Sequence, residues 1–393
     1  MRRIYLDNAA TSWPKPESIY QAVDDYQRNC GAAAGRGAYT QANLAGRLVD
    51  RARYGVAQLL GGINPRQVVW TSNATDALNL ALHGLLRSGD HVAATDLDHN
   101  SVLRPLHWLG ETRSVAATYV PCDEQGRLSL DDFRAALRPE TRLIVVNHAS
   151  NVTGAIQPLV DIAELARERR IPLLVDAAQT LGQLEWPLAF DQPLLVAGAG
   201  HKSLLGPLGV GFLAISEEMS ERVLPLRQGG TGTWSEDERQ PTSLPERFES
   251  GNLNVPGLAG LAAGVDYVLQ RSVAEIAAHH ARLVHLLRDE LTGIAGLRVF
   301  GPAAYGATVG VVSVASEFFE AHDLAMILDA SCGIETRAGL HCAPRIHRRL
   351  GTLPRGGTVR LSLGAFTTED EIHTAARALR EIHEDEALAD QGT

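Results

Sequence analysis

Lys202 stands in Gly200-His201-Lys202-Ser203, directly after an apolar run. A lysine amine becomes nucleophilic near neutral pH only when desolvation or a nearby cation lowers its pKa. A lysine leaving a buried strand meets that condition, although a solvated loop lysine is the plainer reading of one such residue. Asp176, in Val175-Asp176-Ala177-Ala178-Gln179, closes a second apolar run. A carboxylate there is costly unless paired, so it either caps a helix or meets a cation such as a pyridinium nitrogen. Gln179 can donate to an oxygen on the same ring, or is an ordinary loop amide. In Thr71-Ser72-Asn73-Ala74-Thr75-Asp76 a strand end runs into a helix start. Backbone N–H groups and hydroxyls make such a place an anion site, or simply a cap.

Three further segments carry reactive side chains. Asp98-His99-Asn100 offers an imidazole that could stack on a flat ring and relay protons, or serve structure alone. Asn151 is a comparable polar group after Asn147-His148-Ala149-Ser150. In Arg337-Ala338-Gly339-Leu340-His341-Cys342-Ala343-Pro344 the cysteine is a thiolate if the local field is positive, and otherwise a small packing residue. Arg360, inside the apolar run Thr358-Val359-Arg360-Leu361-Ser362, needs an anionic partner. A bidentate grip on a substrate carboxylate and an internal salt bridge both satisfy it.

Positioning these groups falls to alternating elements. Residues 67–71, 91–97, 142–150, 172–178 and 193–200 read as strands. Residues 74–86 and 159–170 read as amphipathic helices. That alternation predicts βαβ units around a mostly parallel sheet covered on both faces, and the near-continuous apolar character of the strands fits burial. In such sheets ligands bind beyond the carboxyl ends of the strands, where the reactive residues fall. After about residue 257 the texture changes. Helices at 257–270 and 273–294, two strands, a helix near 323–331, a strand at 358–366 and a helix from about 368 predict a smaller α/β unit. The organisation expected is a large domain over 15–265, with residues 1–14 and 266–393 forming the small one. The Gly/Pro-rich stretch 229–254 reads as a long ordered loop, and loops of that length are usually functional.

Charge and cysteine usage narrow the function. Net charge is −10, from 36 Lys+Arg against 46 Asp+Glu. There is no basic stripe of the kind a nucleic-acid partner needs, and no run of apolar residues long enough to span a membrane. Asp7 and Asn8 interrupt the opening residues before any apolar core of a signal peptide forms. Cys30, Cys122, Cys332 and Cys342 contain no CxxC pair, which points to a reduced, cytoplasmic setting. No metal-ligand cluster stands out.

The segments LDNAAT, SNVTG (150–154), VDAAQ (175–179), GHK (200–202), RFESGNLN (247–254) and RAGLHCAP (337–344) occur together, in this order. With them the chain resembles the class-V aminotransferase group of pyridoxal-5'-phosphate (PLP) enzymes, and within it the cysteine desulfurase/selenocysteine lyase family, over nearly its whole length. The resemblance implies the α/β architecture of fold type I PLP-dependent transferases, with the cofactor carried as an imine on Lys202. It also implies that Asp176 faces the pyridine nitrogen, Gln179 the phenolic oxygen and His99 the ring. Ala74, Thr75 and His201 would hold the phosphate. Asn151, Arg360, Arg337 and Tyr39 would surround the substrate, and Cys342 would accept its sulfur as a persulfide. The short Arg-x-Gly-x-His-Cys form is similar to the subgroup with a short, ordered cysteine loop. Implied partners are L-cysteine, a second copy of the chain, and a sulfur-acceptor protein.

This sequence departs from the family pattern at three positions. Ala199 stands where many members have Ser, Asn252 where many have a Thr that reaches the phosphate of the partner subunit, and Tyr39 where many have His. Selenocysteine as substrate, another reaction of the same superfamily, and a non-catalytic scaffold are the alternatives. Cys342 argues against reactions that need no thiol. The set Lys202, Asp176 and His99 argues against a scaffold.

Overall fold

The computed structural model describes residues 3–391 except Arg36 and Trp234. Its strands, in chain order, are β1 (Ile4–Tyr5), β2 (Val68–Thr71), β3 (His91–Thr95), β4 (Ala116–Val120), β5 (Thr141–Asn147), β6 (Leu173–Asp176), β7 (Leu194–Ala199), β8 (Gly211–Ile215), β9 (Leu297–Phe300), β10 (Val311–Ser316), β11 (Ile334–Glu335), β12 (Arg337–Gly339) and β13 (Thr358–Ser362). Seven form one sheet in the order β2-β8-β7-β6-β5-β3-β4. All run in the same direction except β8, which is antiparallel to both neighbours.

The period of two along each strand explains how this sheet is covered. Ile144, Val146, Leu173, Val175 and Val196 point into one apolar layer. Leu143, Val145, Leu174, Leu195 and Ala197 point into the opposite one. Both faces being apolar, these strands sit only where helices cover both sides. The helix Ala74–Leu85 lies on one face, with Leu78, Ala81, Leu82 and Leu85 buried. The helices Thr40–Leu59 and Val255–Arg271 contribute Val49, Val56, Leu258 and Leu261 to the other.

A second sheet, β12-β13-β10-β9, is antiparallel throughout. Leu283 and Leu287 of the helix Val273–Leu291, Leu324 and Leu328 of Ala321–Cys332, and Leu379 of Glu369–Gln391 pack with Val312, Val314, Val359 and Leu361. Ile4 and Leu6 join this cluster, because β1 pairs in parallel with β11 and the chain then runs along β13.

The strands and helices read from the pattern of apolar residues are present, with ends shifted by a few residues. β8 and the helices Thr40–Leu59 and Asn100–Arg113 were not expected. β8 follows Gly206-Pro207-Leu208-Gly209, where a short apolar run carries no periodicity of its own. Gly211 opens it because a Cβ there would lie 2.4 Å from the backbone carbonyl carbon of Asn73, so only glycine lets the strand approach the helix that Asn73 caps. No helix or strand interrupts 229–254 among the described residues. Glu249 ties that loop down. Its carboxylate accepts from Arg53 Nη1 and Nη2, each at 2.9 Å, and from the Trp70 N–H at 2.7 Å. No helix among the described residues is long and apolar enough to cross a membrane.

Candidate active site

The carboxyl ends of β2, β5, β6 and β7 and the strands β12 and β13 border a cleft of about 760 Å³. Ala74, Thr75, His99, Asn151, Asp176, Gln179, Ala199, His201, Lys202, Arg337 and Arg360 all line it. Ala9, Ala10, Asn147, Ser101 and His341 line it too.

Lys202 sits in the turn after β7, and its amine makes no hydrogen bond or ion pair with another described residue. Burial pulls it down to about 8, against the opposing pull of the Asp176 charge. Asp176 ends β6 and is 5% exposed. Burial raises its pKa, while the Ala178 N–H, 3.0 Å from Oδ1, and Lys202 hold it down. A buried amine and a buried carboxylate therefore face one cleft, each only partly compensated by the protein. Such a pair of perturbed groups is the signature of a reactive site.

The start of the helix Ala74–Leu85 also borders the cleft. Asn73 Oδ1 accepts the Asp76 N–H at 2.9 Å, fixing the entry turn. The N–H groups of the first turn lack intrahelical partners and point outward, and Ala74 and Thr75 face the cleft. Thr75 Oγ1 lies 2.7 Å from Ser101 Oγ, which in turn lies 2.7 Å from His99 Nδ1. Nδ1 also accepts the Ser101 N–H at 3.1 Å. The neutral imidazole therefore carries its proton on Nε2. Burial, with Lys202 adding, holds His99 at about 4. His201 is likewise held at about 4 by burial, and its Nδ1 is buried with no partner.

On the other wall Arg360 and Arg337 are register partners across β13 and β12. Arg360 donates to Asp7 Oδ1 at 2.8 Å and to the Asn151 carbonyl at 3.1 Å. Asn151 Nδ2 donates to the His341 carbonyl at 2.7 Å, leaving its Oδ1 buried without a partner. Arg337 Nη2 lies 3.6 Å from Cys342 Sγ. His341 and Cys342 both occupy the left-handed region, with φ of 48° and 60°. Their loop is short and ordered: the Ala343 N–H closes a turn on the Leu340 carbonyl at 2.8 Å, and the Asn100 N–H bonds the Cys342 carbonyl at 2.6 Å. His341 Nε2 pairs with Thr358 Oγ1 at 3.0 Å, and burial holds the ring well below the usual histidine range.

Three expected residues are not among those lining this cleft within the chain: Tyr39, Asn252 and Cys342. Tyr39 is 57% exposed at the start of the helix Thr40–Leu59. Asn252 lines a separate pocket with Thr71, Ser72, Arg227 and Ser250. Cys342 sits beside Arg337, which does line the cleft. Sequence reasoning missed Ser101, Asn147 and Asp7 as site residues. Ser101, a hydroxyl two positions after His99 at a helix start, carried a usable signal. Cys122 is fully buried, its thiol pushed up to about 11, and Cys332 is part-buried.

A mostly parallel sheet whose strand ends present a buried amine, a buried carboxylate and a helix N-terminus, with two arginines facing them from the second sheet, defines a fold type I enzyme of the PLP-dependent kind. The model of the class-V aminotransferase family matches residues 4–374. A probable cysteine desulfurase of Methanothermobacter thermautotrophicus is 34% identical over 383 residues, 96% of this chain and 94% of that protein. Another, of Synechocystis, is 32% identical over 96% of this chain and 90% of its own length. A solved apo cysteine desulfurase of Thermococcus onnurineus superposes with a TM-score of 0.89 at 30% identity, covering 98% of this chain and 95% of that one. The chain belongs to the class-V aminotransferase family.

Proposed function

We propose that this protein is a PLP-dependent cysteine desulfurase, converting L-cysteine to L-alanine and passing the sulfur on through Cys342. One observation carries the reading: Lys202, Asp176 and the arginine pair line one cleft, with the Cys342 sulfur 3.6 Å from Arg337 Nη2. The residues present fit the cofactor, whose use is a property of the family. The helix N-terminus at Ala74 and Thr75 and the orphaned Nδ1 of His201 suit its phosphate, Asp176 its ring nitrogen, Gln179 its phenolic oxygen, and Lys202 its aldehyde. When bound, PLP supplies the electron sink that stabilises negative charge at the substrate α-carbon.

The chain's own part follows from the geometry. Arg360 and Asn151 orient the substrate carboxylate. Lys202, with an amine near 8, moves the α-proton at physiological pH, where both of its protonation states are accessible. His99, its proton on Nε2, would lie against the cofactor ring, and the Ser101–Thr75 hydroxyls lock its orientation. Arg337 Nη2 donates toward Cys342 Sγ. The thiolate attacks the substrate sulfur, forming S–S as C–S breaks. The bonding pair stays on carbon, which is protonated to give alanine, and the persulfide remains on Cys342 for an acceptor protein.

Ala199 brings no hydroxyl to the phosphate end, so His201 and the helix N-terminus carry that load. The pocket around Asn252, on the same loop as Glu249, suits a partner subunit's phosphate contact, and the exposed Tyr39 is free to reach a partner subunit's substrate. We therefore propose a homodimer acting in the cytoplasm. The test is to incubate purified, PLP-loaded protein with L-cysteine and a reductant. Alanine and sulfide should form in equal amounts; alanine without sulfide, or neither, overturns the reading. Light scattering that shows an active monomer overturns the dimer.

A further inference from the structure

Arg360 heads the fully buried side chains of the described residues, at 1% exposure. Its guanidinium has five N–H donors. Nη2 is engaged by Asp7 Oδ1 at 2.8 Å and Nη1 by the Asn151 carbonyl at 3.1 Å, while Nε is buried with no partner. Arg337 lies directly opposite across the strand pair, and like charges so placed destabilise each other. Asp7 is the carboxylate that ion-pairs with Arg360 among the described residues.

Asp7 cannot drift from this position. The Ser362 N–H bonds the Leu6 carbonyl at 2.7 Å, the Asn8 N–H returns to the Ser362 carbonyl at 3.2 Å, and the Ala9 N–H bonds Ser362 Oγ at 2.9 Å. The segment around Asp7 is thus stitched to β13 two residues from Arg360. Arg360 also lines the cleft, so Asp7 holds one nitrogen of a guanidinium that borders it.

We propose that Asp7 sets the affinity of the carboxylate subsite: it is a resident counter-ion of Arg360 that stabilises the free site and weakens its hold on any amino-acid carboxylate. The inference rests on the reading of the cleft as an amino-acid site. A carboxylate arriving at Arg360 shares one cation with Asp7, and the two anions repel. Without Asp7 the free site holds an uncompensated buried guanidinium beside Arg337, and the incoming carboxylate relieves it. Orientation of the guanidinium by Asp7 acts in the opposite direction. The Asn151 carbonyl and complete burial already supply orientation, so charge decides the sign. Because L-alanine carries the same carboxylate as L-cysteine, a weak hold favours release of product, and binding both equally adds nothing to turnover.

The experiment uses the PLP-loaded protein and L-alanine, read as the change in visible absorbance on titration, together with melting temperature. Asp7→Asn should bind L-alanine about tenfold or more tightly, melt at a lower temperature alone, and gain more from added L-alanine than wild type does. Asp7→Ser, the second neutral variant, should behave the same way and serves if the first does not fold. Asp7→Glu, which keeps the charge, should stay within about threefold of wild type. Unchanged or weaker L-alanine binding in the neutral variants overturns the inference. If wild type itself binds neither L-alanine nor L-cysteine, the amino-acid reading of the cleft fails instead.

Discussion

Removing the Glu249 carboxylate should cost more stability than almost any other single surface-to-core change in this chain. Arg53 and Glu249 form a bidentate pair with side chains 7% exposed on each partner. Arg53 also donates to the Val68 carbonyl and lies 5.3 Å from the Trp70 ring centroid, so it has no route to water. Burial pushes the Glu249 pKa up, and Arg53 opposes that shift. In Glu249→Gln the guanidinium stays charged and buried with no anion. Breaking a buried pair from one side costs about 3–5 kcal/mol. In Glu249→Ala the Trp70 N–H loses its acceptor as well, at about 1–3 kcal/mol more. Replacing both residues, as Arg53→Met with Glu249→Leu, should recover most of the loss because no charge is left stranded. Urea unfolding followed by circular dichroism measures all four proteins. Since Asn252 is three residues along the same loop, PLP affinity should fall alongside stability in the single variants. A Glu249→Gln protein within about 1 kcal/mol of wild type would refute the buried-pair argument, as would a double variant no better than the singles.

Lys202→Ala should lose turnover and the lysine-linked visible band, and borohydride treatment of wild type followed by peptide mapping should place the reduced cofactor on Lys202; a label on another lysine sinks the assignment. Cys342→Ala should keep its PLP absorbance and its spectral response to L-cysteine while sulfide release disappears, and full desulfurase activity in that variant would remove Cys342 from the chemistry. Stability should also fall as pH drops from 6.5 toward 4. Burial holds His99, His148, His201 and His347 at about 4 and His280 at about 3. The unfolded chain therefore binds more protons in that window, so stability is fully present above 6.5 and lost on acidification. Asp98, pushed up to about 8, and Asp176 and Glu249, raised by burial, work the other way but are three groups against these five histidines. Urea midpoints at pH 7.5, 6 and 5 that do not decline would contradict this.

What could be read from the sequence was whatever local periodicity encodes. Apolar runs located β5, β6 and β7, and a parallel sheet puts their polar terminators, Asp176 and Lys202, at one end. Long-range pairing has no local signature. Nothing around Asp7 announces Arg360, 353 residues away. The antiparallel β8 has only five residues, opening on Gly211 after Gly206 and Gly209, and its place between β2 and β7 depends on the close approach of Gly211 to Asn73. Arg360 was rightly given two readings, a carboxylate grip and an internal salt bridge. The structure shows the bridge to Asp7, and the grip remains a proposal. Tyr39 and Asn252, expected near substrate and phosphate, lie outside the cleft of their own chain, a separation that no reading of one chain's spacing reveals.

The stitching of residues 6–9 onto Ser362 also has a consequence for the timing of synthesis. The first wall of the cleft leaves the ribosome long before the strand that it must join. At about 5–20 residues per second, roughly 20–70 s separate the two. During that interval Leu6, which is fully buried in the finished molecule, has no apolar layer to enter. The nascent chain can assemble Lys202 and Asp176 on the large sheet while the carboxylate wall is still missing. The amino-acid subsite is therefore one of the last parts of the molecule to exist, and a chain cut short before β13 would have a cofactor lysine with nothing opposite it to select a substrate.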